Sequence, residues 1–241
     1  MPEGAFMKRA LVVLLVVAAA IAGFLAYLGY FGGPVFTRVA ADNPRPRTAV
    51  LLLSGDMGFR VGMGPPVAAR LAEAGVPVIG VNSLTFFRVK RTPAEIGRLL
   101  RAGLARTQSL APGRKLVVVG QSFGSDMLVA GLSQLSPAER ARIATVVLVV
   151  PSSTIEFRAS PSELFSFARP DAEALPLARK LDWVQITCIH GALETGSLCP
   201  LWHAPNVRVL TLPGGHHLNR DSDRLARTVL AAIAAAIGKT A

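Results

Sequence analysis

The pentapeptide Gly120-Gln121-Ser122-Phe123-Gly124 restricts the fold of this chain more than any other segment. It follows the apolar run Lys115–Val119 and leads into a helical pattern from Ser125 to Leu135. Alone, G-x-S-x-G is a weak signal. Between a strand and a helix it describes a sharp turn. The glycines permit tight backbone approach, and the turn lifts the serine hydroxyl above the sheet edge at the positive end of the helix. Ser122 is therefore the candidate nucleophile. The alternative is a glycine-rich turn with no chemistry.

The surrounding pattern agrees with a sheet of that kind. Near-continuous apolar runs occur at Thr48–Leu53, Val76–Val81, Lys115–Val119, Thr145–Val150, Val184–Ile189 and Val207–Leu212. Continuous rather than alternating apolar character belongs to strands covered on both faces. Helical patterns separate them. Thr92-Pro93-Ala94-Glu95, Ser136-Pro137-Ala138-Glu139 and Ser160-Pro161-Ser162-Glu163 each carry an N-cap hydroxyl, a proline at the first helical position and a returning carboxylate. An Ala- and Leu-rich helix is expected from about Ser222 to Ile237. Alternating strands and helices predict an α/β class, α/β-hydrolase-like three-layer sandwich with a mainly parallel sheet of about six strands. Ligands of such sheets bind at the carboxyl ends of the strands.

One further segment stands apart. Lys8 and Arg9 precede a run without charge from Ala10 to Phe31. As a helix it measures roughly 33 Å, enough for a bilayer core. The leading basic pair predicts a cytoplasmic N-terminus with the remainder exported across an inner membrane. The expected division is an anchor or signal sequence over 1–31, a linker over 32–47 and a hydrolase domain over 48–241. The run is long for a cleaved signal, yet Val39-Ala40-Ala41 is a passable cleavage site, so retention and cleavage both stay open.

Composition narrows the class. With 51% hydrophobic and 17% charged residues, disorder is excluded. The formal charge is +11. Residues 1–41 hold only Lys8, Arg9 and Arg38 against Glu3, so the exported part is itself strongly basic. Beside a membrane, such charge is expected to face anionic phospholipid headgroups, and a solvated basic surface with no partner is the equal alternative. The arginines are dispersed, without interleaved aromatics, which disfavours nucleic acid. Cys188 and Cys199 form an even pair in an exported domain, so a disulfide is expected. A zinc site from Cys188, His190, Cys199 and His203 is conceivable by residue type but matches no common spacing. No metal and no organic cofactor is expected.

A serine nucleophile needs a base, and in this fold the order is serine, acid, histidine. Leu212-Pro213-Gly214-Gly215-His216-His217 follows the last strand at the correct end. His216 is the preferred base, with His217 as its rival. Glu194 is the one carboxylate between Asp182 and Asp221, and it lies just past the penultimate strand, so it is the expected acid. Asp126, in the first turn after the nucleophile, is the competing choice. An oxyanion hole requires two backbone N–H groups. Phe123 should supply one, and the loop Ser54-Gly55-Asp56-Met57-Gly58 the other, through Asp56 or, less favoured, Met57. Phe86, Phe87 and Phe123 are expected at an apolar mouth.

These motifs, with Gly80-Val81-Asn82-Ser83-Leu84, Arg91-Thr92-Pro93 and Gly120 through Asp126, resemble the VirJ/AcvB bacterial virulence-protein family from about residue 48 to 238. The resemblance implies a periplasmic α/β-hydrolase fold, with Ser122 as nucleophile and His216 in the paired-histidine motif. It implies hydrolysis of aminoacyl-phosphatidylglycerol, lysyl or alanyl, by a protein held at the inner membrane, and secretion-system proteins as partners. Met57, Asn82, Asp126 and His217 are then expected to border the substrate. Asn82 stands where an aspartate is usual, Met57 where a glycine is usual, and Gly196 where an acidic residue is common. Two rival readings remain: a general carboxylesterase, lipase or thioesterase, and a non-catalytic interaction protein on a hydrolase scaffold.

Overall fold

The computed structural model describes residues 3–43, 46–159 and 169–238. In chain order the helix α1 (Glu3–Leu28) is followed by β1 (Phe36–Val39), β2 (Val50–Leu53), α2 (Gly64–Glu73), β3 (Val78–Val81), α3 (Ser83–Phe87) and α4 (Pro93–Gln108). Next come β4 (Leu116–Gln121), α5 (Phe123–Gly131), α6 (Pro137–Arg140), β5 (Ile143–Val149), β6 (Thr154–Ile155), β7 (Ala172–Glu173) and α7 (Ala174–Ala178). The chain closes with β8 (Gln185–Gly191), β9 (Val207–Leu212) and α8 (Ser222–Ile237). Seven strands form one sheet in the order β1-β3-β2-β4-β5-β8-β9, all parallel except β1. β6 and β7 make a separate antiparallel pair.

The period-2 geometry of a strand explains the continuous apolar runs. In β2, Val50 and Leu52 point into one core layer while Leu51 and Leu53 point into the other. β4 divides likewise: Val117 and Val119 meet α2 and α8, whereas Leu116 and Val118 meet α4 and α5. Each strand residue is thus buried on one side or the other, and no polar alternation survives. The two edge strands differ: β1 and β9 are partly exposed, and they carry Arg38 and Arg208.

The cap grammar forms at two of its three sites. Thr92 accepts from the Glu95 N–H, and Glu95 returns to the Thr92 N–H. The Thr92 backbone hydrogen bond, joined by the Thr92 hydroxyl, holds the Glu95 carboxyl below its ordinary range. Ser136 and Glu139 repeat the box at α6. The Ser160-Pro161-Ser162-Glu163 motif lies outside the described residues.

One difference alters the architecture. Residues 36–39 of the segment expected as a linker form β1, which raises the sheet to seven strands. Phe-Thr-Arg-Val is too short and too polar to register as a buried strand. At an edge it needs hydrogen-bonding partners on one side only, and it finds them antiparallel to β3. The Arg106 guanidinium stacks 4.4 Å over the Phe36 ring, which fixes that edge against α4. The helix α1 has a stretch, Phe6–Leu28, long and apolar enough to cross a membrane, and its side chains from Phe6 to Phe24 are largely uncovered by protein.

Candidate active site

β4 ends at Gln121 and α5 begins at Phe123, leaving Ser122 alone in the turn with φ 51° and ψ −123°. The flanking glycines are required there by contact. A Cβ on Gly120 would stand 2.6 Å from the Ser125 Cα, and one on Gly124 would overlap the Leu53 carbonyl. Positive φ at a non-glycine residue is held at a cost of about 1–3 kcal/mol. Its effect is to project the Ser122 hydroxyl beyond the strand ends.

The hydroxyl meets its base. Ser122 Oγ lies 2.8 Å from His216 Nε2, and His216 Nδ1 lies 2.6 Å from Glu194 Oε1. The Glu194 carboxylate accepts, so Nδ1 carries the proton and Nε2 is left to accept from the serine. Glu194 Oε2 is occupied by the Gly191 N–H at 3.1 Å, which fixes the carboxylate plane. The Glu194 side chain is 4% exposed and that of His216 40%. Backbone bonds join the two loops: Ala192 N–H donates to the Leu212 carbonyl and Leu193 N–H to that of Gly214, both at 2.8 Å. Gly191 makes this approach possible, because a Cβ there would overlap the Gly215 carbonyl.

The remaining expected residues divide. The Met57 N–H is already donated to Asp56 Oδ1 at 3.0 Å. Phe123 heads α5, so its N–H has no acceptor within the helix. With the Met57 N–H occupied, Asp56 stays the loop's candidate donor, beside Phe123 at the head of α5. Met57 and His217 line the hollow in front of Ser122, about 390 Å³, together with Asp56, Val61, Gln121 and His216. His217 packs edge-on against the His216 ring at 5.7 Å, while His216 alone bonds the serine.

Two expected substrate contacts are corrected. Asn82 is buried beneath the loop, where its Nδ2 donates to the Leu28 carbonyl and its Oδ1 accepts from the Thr85 N–H. Asp126 is buried too, accepting from the Ser152 N–H at 2.8 Å. Both bind backbone, because a buried polar side chain must satisfy itself locally. The aromatic mouth is corrected as well. Phe86, Phe87 and Phe123 form an edge-to-face stack, 4.9 and 5.1 Å between successive rings, with Phe87 and Phe123 inside the core.

Cys188 and Cys199 are joined in a disulfide, so their thiolates cannot ligate zinc. The bridge closes a loop with a sequence separation of 11 that contains Glu194. Replacing both cysteines by alanine is expected to cost roughly 2–4 kcal/mol of stability. It should also lower kcat more than it raises KM, because the acid's loop loses one of its tethers. Thermal unfolding and steady-state kinetics on the double variant check both.

The sequence reading missed Arg220. Leu218, Asn219 and Arg220 all take positive φ, at 46°, 54° and 58°. Consecutive left-handed residues are costly. Here they bring Arg220 to a second hollow of about 410 Å³, which shares Gly62, Gln121 and His217 with the first. Only the adjacent Gly214-Gly215 hinted at an unusual turn.

The family described as bacterial virulence protein (VirJ) matches residues 47–237. No curated protein matches the chain in sequence. Among solved structures it is similar to the α/β hydrolase GrgF from Penicillium sp. sh18, with TM-score 0.64 and 10% identity over 84% of this chain and 99% of that one. It is also similar to Est1E from Butyrivibrio proteoclasticus, solved with ferulic acid bound, with TM-score 0.59 and 14% identity over 84% and 95%. A third is the esterase domain of a Rhodothermus marinus protein, with TM-score 0.54 and 14% identity over 82% and 90%. At such identities the likeness is one of fold, and the fold is that of the α/β hydrolases.

Proposed function

Because the chain belongs to the bacterial virulence protein (VirJ) family, we propose that it is a serine hydrolase of aminoacyl-phosphatidylglycerol, acting on the outer face of the inner membrane. The observation that carries the chemistry is the continuous hydrogen-bonded array Ser122–His216–Glu194. His216 Nε2 takes the proton as Ser122 Oγ attacks the aminoacyl carbonyl carbon. The carbonyl oxygen becomes an oxyanion held by the Asp56 and Phe123 amides. The C–O bond to the lipid glycerol breaks, and the alkoxide leaves with the proton from His216. Water, deprotonated by the same nitrogen, then attacks the acyl-serine ester and frees the amino acid.

Charge around the hollow supports the substrate class. Asp56 lines one part, and Arg220 lines the adjoining space. An aminoacyl-phosphatidylglycerol carries an ammonium beside its ester and a phosphodiester a few bonds away, so opposite charges meet opposite charges. Asp56→Asn keeps the backbone amide and the Met57 contact while removing the charge. It is expected to reduce kcat/KM for the aminoacyl lipid on the order of tenfold, about 1.4 kcal/mol, and to spare p-nitrophenyl acetate. Arg220→Ala should raise KM for the lipid and leave the neutral ester unaffected.

The deciding assay incubates the full chain with lysyl- and alanyl-phosphatidylglycerol in mixed micelles and measures free amino acid. Release from either lipid is the expected result. Cleavage of p-nitrophenyl esters with neither lipid touched would overturn the substrate and leave a general esterase. A folded protein that cleaves none of them would favour the non-catalytic scaffold.

A further inference from the structure

The end of α1 is built into the hydrolase domain. The last carbonyls of a helix lack intrahelical donors, and here the domain supplies them. Arg60 Nη1 donates to the Tyr27 carbonyl at 2.6 Å, Asn82 Nδ2 to that of Leu28 at 3.1 Å, and Thr85 Oγ1 to that of Gly29 at 3.0 Å. The Arg60 guanidinium also lies 5.3 Å over the Tyr27 ring. Leu28 is fully buried in the same core layer as Leu84 and Phe87. Beyond the helix, the Val35 carbonyl accepts from the Asn82 N–H at 2.8 Å, and β1 then pairs along all of β3.

This joint adjoins the serine. Gly58 closes the Gly55–Gly58 loop and lines the hollow in front of Ser122. A Cβ on Gly58 would stand 3.1 Å from the Leu28 carbonyl oxygen and 2.6 Å from Asn82 Oδ1. The helix end and the active-site hollow are thus two sides of one loop. Asn82 explains itself here: one amide group ties the helix end while capping α3.

The rest of α1 shows what lies beyond. Its apolar side chains from Phe6 to Phe24 are exposed, and Tyr27, Tyr30 and Phe31 cluster at the outer end, where aromatic residues mark a membrane interface. Arg60 and Arg88 gather at the same end, near the negative pole of the helix, where the phosphates of a bilayer spanned by α1 would meet them.

We propose that α1 is a retained anchor whose last turn is clamped onto the active-site loop, so that the hollow is held at the headgroup layer of an anionic bilayer and not on a flexible tether. Cleavage after Ala41 would strip β1 from β3 and uncover the layer that Leu28 seals. The proposal deepens the lipid-hydrolase reading and rests on it for the purpose of the placement, but its test involves no hydrolysis.

The full chain is placed in phosphatidylglycerol-containing nanodiscs with a fluorophore at Val89→Cys, an exposed position next to Arg88, or at Arg114→Cys, exposed beyond the opposite end of β4. The two sites lie beyond opposite ends of the parallel strands, of which β4, at roughly 3.3 Å per residue, is about 20 Å long, so a quencher on the lipid headgroup should act at least about twofold more strongly at position 89. Equal, weak quenching at both would overturn the clamp. Mass measurement of the protein from its native envelope is the second arm. A chain retaining residues 1–41 supports the proposal, and one beginning at Asp42 would overturn it. Failure to hydrolyse lipid esters would sink the substrate reading alone.

Discussion

Ser122→Ala is expected to lower kcat for any ester by about 10⁶-fold, roughly 8 kcal/mol of transition-state stabilisation. The loss should fall on kcat and leave KM nearly unchanged, because the hydroxyl contributes to bond making and little to binding. His216→Ala should fall almost as far, and the double variant no further, since the two act as one unit. The fold should survive. Among the described residues the Ser122 hydroxyl bonds His216, and its backbone N–H to the Val149 carbonyl remains. An unchanged melting temperature with hydrolysis abolished is the expected pair of readings. Hydrolysis that persists in folded Ser122→Ala protein would remove the serine mechanism.

Glu194→Gln carries the second large effect, a fall in kcat of about 10⁴-fold. The substitution keeps size and removes charge. Both carboxylate oxygens now accept, one from His216 and one from the Gly191 N–H. An amide has one acceptor and one donor, so either His216 or Gly191 loses its partner. If the amide NH₂ faces the ring, Nδ1 must accept, the proton moves to Nε2, and the serine has no base. Asp126→Asn is the matched control. Its carboxylate serves the Ser152 N–H, so it should cost stability and leave kcat within severalfold. The reverse outcome, with Asp126→Asn far more damaging to kcat, would transfer the acid's role. Stopped-flow acylation and thermal unfolding on both variants separate the cases.

Much of this site could be read along the chain because each part sits at a strand end. Ser122 was legible from glycines that only a strand-to-helix turn requires. His216 was legible from a glycine-rich loop after the last strand, and Glu194 from the scarcity of carboxylates beside it. The parallel sheet was legible because burial on both faces leaves an unbroken apolar run. Those signals are local: sterics of a turn, or the solvation of consecutive side chains.

Other features depend on partners far away in sequence. β1 exists as a strand because β3 offers it an edge. Asn82 reads as a substrate contact until Leu28, more than fifty residues earlier, arrives to accept its amide proton. Met57 stays an alternative to the preferred Asp56 until the Asp56 carboxylate folds back on the Met57 N–H. The strain at Leu218–Arg220 has no composition of its own, since none of the three is a glycine. By itself, then, the sequence determined the layers of the sheet and the turn that carries Ser122, and it put His216 and Glu194 ahead of their rivals His217 and Asp126, because turn sterics and apolar burial are written in neighbouring residues. The tertiary structure alone decided which amides stay free, which buried polar groups are already satisfied, and that the apolar helix ends against the active-site loop, because a hydrogen bond is allotted only when both of its partners are in place.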